Sequence, residues 1–220
     1  MARDFDDATD QRATVGSAVL TAHPITIAAW VYLSTLQQGE LLYILENPGI
    51  SAYVELVIRD AGGGSYRIVA GANGVGTRAF SSTALSTGQW YHACGTYTST
   101  ATRSAYTDGA GKVTNATAAG ALSGLNETGV ACNTVDLTAT FDGRMAEIGI
   151  WSAVLDDSEI LALAKGISPP LIRPQSLAAY WPLFGNASPE PDRWKSRFDL
   201  TVTGATKIEH PRIYYPHDVA

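Results

Sequence analysis

The acidic residues that come closest to a catalytic arrangement are Glu190 and Asp192, which flank Pro191. A retaining glycoside hydrolase needs two carboxylates about 5–5.5 Å apart, and a strand can supply them by carrying acids at alternate positions. A proline between the two acids is awkward inside a strand, and the string ends in Lys195 rather than in a further acid. Glycoside hydrolase activity therefore stays an alternative function, but no catalytic carboxylate motif in the sequence supports it.

The histidines offer no other catalytic chemistry. They are scattered along the chain, at His23, His92, His210 and His217. No pair has the spacing of a zinc site. His92 alternates with Trp90 and Cys94, which favours a packed or sheet-edge histidine over a base. There is no Gly-x-Ser-x-Gly elbow, and the glycines of 71–76 precede no helix pattern. We predict that the chain is not an enzyme.

Composition points to a β protein. The 220 residues include 21 glycines and only 16% charged residues, which suits short strands joined by tight turns. With a net charge of −6 and no Lys/Arg run, neither nucleic acid nor an anionic membrane is an expected partner. No apolar run approaches a membrane span, and the first residues lack signal-peptide features. We therefore expect either a mature form from which a signal peptide has been removed, or a protein that leaves the cell without such a signal, as a virion component does.

Several stretches alternate with the period of a half-buried strand. They cover residues 25–33, 52–59, 90–97, 145–151 and 178–183. Turn signals such as Asn73-Gly74 and Asp108-Gly109 separate them, because these residues readily adopt the positive φ of hairpin turns. The pattern predicts antiparallel strands.

One short helix is predicted near 156–165. Asp156 and Glu159 form a capping box, and Gly166 is a suitable stop before Pro169. Residues 168–220 are too few to bury a core of their own. They are expected to supply closing strands and an extended C-terminal tail to one domain that spans 1–220.

Residues 141–160, FDGRMAEIGIWSAVLDDSEI, resemble the laminin-G-like and pentraxin-like jelly rolls of the concanavalin A type, in which a strand ending in Trp runs into a short capped helix. Further pieces occur in the order of that family, at residues 5–6, 26–31, 89–97, 106–109 and 179–183. The resemblance implies an all-β fold, a two-sheet antiparallel β-sandwich. It also implies that large aromatic side chains fill the core between the sheets, namely Trp30, Trp90, Trp151 and Trp181.

Pentraxin-like domains often hold calcium in acidic loops, but the corresponding stretch here is poor in acids. It offers only Asp136 and Asp142, so a site would need further ligands from Asp6, Asp7, Asp10 or backbone carbonyls. Hard cations prefer six or more oxygen ligands. We therefore expect no cofactor, and calcium bound by Asp6, Asp136 and Asp142 stays the alternative.

The two cysteines, Cys94 and Cys132, allow one disulfide or none.

Two non-enzymatic functions fit these features. The chain is similar to single laminin-G-like jelly rolls of tailed-phage particles, also in its tail at 210–216. This favours a decoration or fibre-like protein on the virion surface, docked on a capsid or tail and binding glycans of the host. The alternative is a free carbohydrate-binding lectin. A homo-oligomer is possible with either function. Aromatics that neighbour Gly, Arg or Asp are the predicted sugar-stacking residues, namely Tyr53, Tyr66, Trp194 and Tyr214.

Overall fold

The computed structural model describes residues 1–46, 52–133, 141–185 and 187–214, and for residues 39–46 and 75 it describes the backbone alone. Within these residues the chain forms two antiparallel sheets that pack face to face, with one α-helix against the outer face of the first sheet. The sequence-based prediction of an all-β sandwich with one short helix is confirmed.

Each sheet mixes strands from distant parts of the chain. The first sheet runs in the order β10 (Ala110–Asn115), β9 (Thr102–Thr107), β8 (Trp90–Ser99), β3 (Ile25–Leu33), β12 (Gly143–Trp151), β1 (Ala2–Phe5) and β15 (Thr206–Ile208), and β13 (Leu177–Trp181) also pairs with β12. The second sheet runs in the order β14 (Thr201–Thr203), β2 (Arg12–Val15), β11 (Leu125–Val130), β4 (Gly39–Glu46), β5 (Tyr53–Asp60), β6 (Tyr66–Ala72) and β7 (Ala79–Phe80).

The main core lies between the two sheets and follows the alternation of the strands. In β3, for example, the residues from Ile25 to Leu33 at odd positions are buried in this core. Trp30 lies at an even position of the same strand, so its side chain lies on the outer face. There it contacts the ring of His92 edge-on, with 5.5 Å between the two ring centroids. Trp90 is likewise half-buried and contacts Tyr32. The prediction that Trp30 and Trp90 fill the space between the sheets is therefore wrong.

A second apolar cluster lies between the first sheet and α1 (Asp157–Ala164). We call it the helix-side cluster; it consists of Ala28, Cys94, Tyr106, Trp151, Leu155, Ile160, Leu163, Leu177 and Tyr180. Trp151 is fully buried, but in this cluster on the outer face of the first sheet, so the prediction that it fills the space between the sheets is also wrong. Trp181, the fourth predicted core tryptophan, is fully buried in the main core. Both Cys94 and Cys132 are buried, and each is a thiol outside any disulfide.

The C-terminal part of the chain joins both sheets. Strand β14 pairs with β2 in the second sheet, whereas β15 pairs with β1 in the first. The segment that follows lies against the end of α1, since the backbone N–H of Tyr214 donates to Gly166 at 2.7 Å. None of the helices in the described ranges has the length and apolar character that crossing a membrane requires.

Candidate functional site

A row of hydroxyl side chains crosses the outer face of the first sheet. Antiparallel register places Thr26 opposite Thr96, Thr96 opposite Ser104, and Ser104 opposite Thr114, on four adjacent strands. Because side chains directly opposite each other in a sheet point to the same face, the four hydroxyls form one continuous line. This line leads from the start of α1 to the edge strand β10.

The hydroxyls at the two ends of the row form internal hydrogen bonds, whereas the one in its middle forms none in the part of the chain that the structure describes. Thr26 donates to the carbonyl of Ala153 at 2.6 Å and accepts from the backbone N–H of Leu155 at 3.1 Å, so it fixes the chain that enters α1. Ser104 and Thr114 share a hydrogen bond of 2.7 Å. The side-chain hydroxyl of Thr96 has no hydrogen-bond partner within the described residues, and Thr96 lines the groove described next although it is only 3% exposed.

An open groove of about 650 Å³ lies over this row, a volume typical of ligand sites. It is lined by Thr96, Thr98, Thr102, Ser104, Tyr106, Lys112, Thr114, Val154, Leu155, Asp156, Asp157 and Ser158. We call it the hydroxyl groove. One wall comes from β8, β9 and β10, and the other comes from the residues before and at the start of α1. Most of its lining residues are polar, although more of the exposed surface in the groove is apolar than polar, and Tyr106 is only 3% exposed.

A charged pair stands at the mouth of the hydroxyl groove. Lys112 Nζ and the Tyr106 hydroxyl both donate to Asp157 Oδ1, each at 2.9 Å. The hydrogen bond from Lys112, followed by that from Tyr106, lowers the pKa of Asp157. Burial raises the pKa of Tyr106 to about 12. At neutral pH the site therefore contains an ionised carboxylate, an ammonium group and a neutral phenol.

The capping box holds this wall of the groove in place. Asp156 Oδ1 accepts from the backbone N–H groups of Ser158 and Glu159, each at 2.9 Å, and Glu159 Oε2 accepts from the N–H of Asp156 at 2.8 Å. The N-terminus of α1 is thereby satisfied by two side chains, as the sequence predicts. Arg173 also donates to Glu159, which ties the helix to the segment that precedes β13.

The four predicted sugar-stacking aromatics lie outside the hydroxyl groove and do not form one site. Tyr53 is buried, and its hydroxyl accepts from the N–H of Gly74 at 2.6 Å. Tyr66 begins the next strand, at the opposite end of the β5–β6 pair, and is half-buried against the main core. Trp194 packs against the helix-side cluster, and Tyr214 is 42% exposed beside Arg212.

Two of the three predicted calcium ligands lie near each other. Pairing of Phe5 with Gly143 brings Asp6 and Asp142 to the same end of β1 and β12, next to Asp4. Burial, and to a smaller extent the neighbouring Asp142 and Asp6, raises the pKa of Asp4, while Arg144 opposes this. Asp136 lies outside the described residues. Within the described ranges no three Asp, Glu, His or Cys side chains are arranged to hold a metal ion. Calcium bound by Asp6, Asp136 and Asp142 stays the alternative that the sequence leaves open.

The acidic string at Glu190 and Asp192 is structural. Glu190 pairs with Arg3 at 2.9 Å and also accepts from the backbone N–H groups of Phe184 and Gly185. Asp192 accepts from four backbone N–H groups, those of Tyr180, Trp194, Lys195 and Arg197.

His92 is also buried, and burial lowers its pKa to about 3, so it is neutral at physiological pH. The sequence-based expectation of a packed histidine agrees with its 2% exposure.

A family comparison matches residues 7–161 to the Laminin_G_3 model, described as the concanavalin A-like lectin/glucanases superfamily. The chain belongs to this family. The matched stretch includes every residue of the hydroxyl groove. A search of the curated proteins gives no match.

Solved structures of low sequence identity share the fold. A candidate carbohydrate-binding protein from Bacteroides ovatus matches with a TM-score of 0.66 and 19% identity, over 96% of this chain and 60% of that chain. This chain thus spans less than two thirds of that relative. A heptameric SAP-like pentraxin from Limulus polyphemus matches with a TM-score of 0.56 and 11% identity, over 73% and 78% of the two chains.

A third similar structure is domain 4 of AbnA, an extracellular GH43 arabinanase from Geobacillus stearothermophilus, in complex with arabinotriose. It matches with a TM-score of 0.55 and 18% identity, over 69% of this chain and 71% of that one. At these identities the structural matches show the fold, and function is argued from the groove.

Proposed function

We propose that this chain is a non-catalytic carbohydrate-binding module and that its glycan lies in the hydroxyl groove. The observation that carries the proposal is the row of hydroxyls along the groove, open in its middle, in a chain of the lectin/glucanase superfamily. Membership of the superfamily and the similarity to a candidate carbohydrate-binding protein support the same ligand class.

Hydroxyl side chains suit a sugar because each can donate one hydrogen bond and accept two. A sugar hydroxyl has the same capacity, so a line of Thr and Ser side chains can exchange bonds with several sugar hydroxyls at once. Thr96, Thr98 and Thr102 make no side-chain hydrogen bond among the described residues, and they can bind a ligand without losing an internal contact.

The carboxylates of the groove support binding rather than hydrolysis. A glycoside hydrolase needs a carboxylic acid whose pKa is raised, so that the group carries a proton at the working pH. In this groove the pKa values of Asp156 and Asp157 are both lowered, by hydrogen bonds from Ser158 and from Lys112 respectively. Neither carboxylate holds a proton at neutral pH, so neither is suited to protonate a leaving group.

A glycan array followed by isothermal titration with the best glycan tests this proposal. The variant Thr96→Val/Thr98→Val/Thr102→Val removes three hydroxyls while it keeps side-chain shape and strand propensity. We expect the affinity to fall about tenfold or more, because each hydrogen bond contributes about 0.5–1.5 kcal/mol. Unchanged affinity would place the glycan elsewhere.

The matched control is Thr201→Val/Thr203→Val/Thr206→Val, on exposed positions of β14 and β15, which should bind like the wild type. Incubation of the bound glycan with the protein, followed by product analysis, tests the absence of hydrolysis. A glycan that is cleaved would contradict the non-catalytic part of the proposal.

Docking on a virion or another large assembly stays a prediction from the sequence, as does the extracellular or virion-surface location. Both are tested by gradient sedimentation of the native material. Recovery in stoichiometric amounts with a particle would support an architectural role that also presents the groove, and recovery as a free species would remove that role.

A further inference from the structure

The pair at the mouth of the hydroxyl groove has an unused acceptor. Lys112 and Tyr106 both donate to Asp157 Oδ1, whereas Asp157 Oδ2 has no hydrogen-bond partner within the described residues. The side chains of Lys112 and Asp157 are 45% and 66% exposed, so a ligand in the groove can reach both groups. The hydrogen bond from the buried Tyr106 holds the carboxylate in a fixed orientation.

This arrangement places an acceptor next to a donor. A lysine ammonium has three N–H bonds and donates one of them here, so others remain for a ligand. Two neighbouring hydroxyls of a sugar can bind such a pair: one donates to Asp157 Oδ2 while the next accepts from Lys112 Nζ. Both bonds involve an ionised protein group, and such bonds are stronger than those between neutral groups.

The charge around the groove selects against acidic ligands. Three carboxylates, Asp156, Asp157 and Glu159, stand against two cations, Lys112 and Arg173, so the wall has one net negative charge. Among the described residues that line the groove, Lys112 is the only cation, and it is already paired with Asp157. A uronate or sulfated sugar would bring a like charge to this wall, whereas a neutral sugar would not.

We infer that Asp157 and Lys112 bind a vicinal diol of a neutral sugar and thereby determine which glycans enter the hydroxyl groove. This inference rests on the proposed function and deepens it. Tyr106 is a positioning residue, since it acts on the ligand through Asp157.

Titration of the protein with neutral trisaccharides tests the inference, using arabinotriose, mannotriose and cellotriose as probes and trigalacturonate as the acidic counterpart. The variant Asp157→Asn replaces one of the two acceptor oxygens of the carboxylate with an NH2 group and removes the negative charge. Lys112→Met removes the N–H donors of the ammonium group but keeps the aliphatic stem. We expect each variant to bind its best neutral trisaccharide about tenfold or more weakly than the wild type. Trigalacturonate should bind the wild type about tenfold more weakly than the neutral probe.

Control variants are Asp10→Asn and Lys207→Met, both at exposed positions outside the groove, and they should bind normally. If Asp157→Asn and Lys112→Met bind like the wild type while the triple Thr→Val variant does not, the diol inference is overturned and the proposed function stands. Preferential binding of trigalacturonate also overturns the inference. If no saccharide binds the wild type, both the inference and the proposed function fail.

Discussion

Two groups of neighbouring acids in this chain have opposite environments. Glu190 and Asp192 are buried, and their oxygen atoms accept from an arginine and from backbone N–H groups. Asp156 and Asp157 are exposed beside a groove, and Asp157 keeps an oxygen for a ligand. Both pairs look alike in the sequence, as two acids close together. The difference shows that spacing alone does not distinguish a structural carboxylate from a binding one.

The two pairs of acids differ physically in the groups that replace water around each carboxylate. A buried charge is costly unless the protein supplies hydrogen bonds in place of water, so Glu190 and Asp192 need every contact they make. Asp157 is still partly hydrated, and a ligand can replace water there without a large penalty. The first pair should therefore govern stability, and the second should govern affinity.

The largest expected effect is that of Glu190→Ala. This change leaves the guanidinium of Arg3 buried without its partner, and the loss of one member of a buried ion pair costs about 3–5 kcal/mol. Equilibrium unfolding in guanidinium chloride measures the free energy of unfolding. A loss under about 1 kcal/mol would show that the buried ion pair of Glu190 with Arg3 contributes little to the stability of the fold. Asp157→Ala is the matched control and should change the stability little.

Removal of the second buried carboxylate should cost somewhat less. Asp192→Ala leaves four backbone N–H groups without their acceptor, that of Tyr180 within β13 and three in the segment after it. Each buried donor that loses its bond costs about 1–3 kcal/mol unless water reaches it. We expect a loss of about 2 kcal/mol or more, measured by the same unfolding experiment. Glycan affinity should stay unchanged, and a parallel fall in affinity would mean that the turn contributes to the site.

Local patterns predicted the elements well. The strand pattern at 25–33 corresponds to β3, and the turn signal at Asp108-Gly109 joins β9 to β10, with φ values of 54° and 70°. The capping box at Asp156 and Glu159 correctly located the start of α1. These features succeed because their energies depend on neighbours a few residues away in the chain.

The groove could not be predicted in the same way. Tyr106 and Asp157 are 51 residues apart in the sequence, and their contact depends on α1 packing over β9. Alternating hydroxyls at Thr96 and Thr98, and again at Thr102 and Ser104, were the available signal, but this pattern also suits any solvated strand face. Trp30, Trp90 and Trp151 were assigned to the wrong face because aromatic size indicates burial but not the side of the sheet.

At the exposed pair, stability should change little. Lys112→Met removes a hydrogen-bonded ion pair whose side chains are 45% and 66% exposed, and such pairs contribute under about 1 kcal/mol. The free energy of unfolding at pH 7 should therefore fall by less than that amount, whereas glycan affinity falls about tenfold or more. A larger loss of stability would mean that Lys112 supports the fold as Glu190 does, and the contrast between the two regions would not hold.

The smallest effect is the pH dependence of this pair. Because the folded-state pKa of Asp157 is lowered, its contribution to stability is present above the ordinary carboxyl value of 3.8 and is lost as the pH falls through the lowered folded-state value. The small stability difference between the wild type and Lys112→Met should therefore persist from pH 7 to about pH 4 and disappear below it. Unfolding curves of both proteins across this range measure the difference. A difference that stays constant into strong acid would show that Lys112 acts through packing of its stem on Tyr106 rather than through the charge of Asp157.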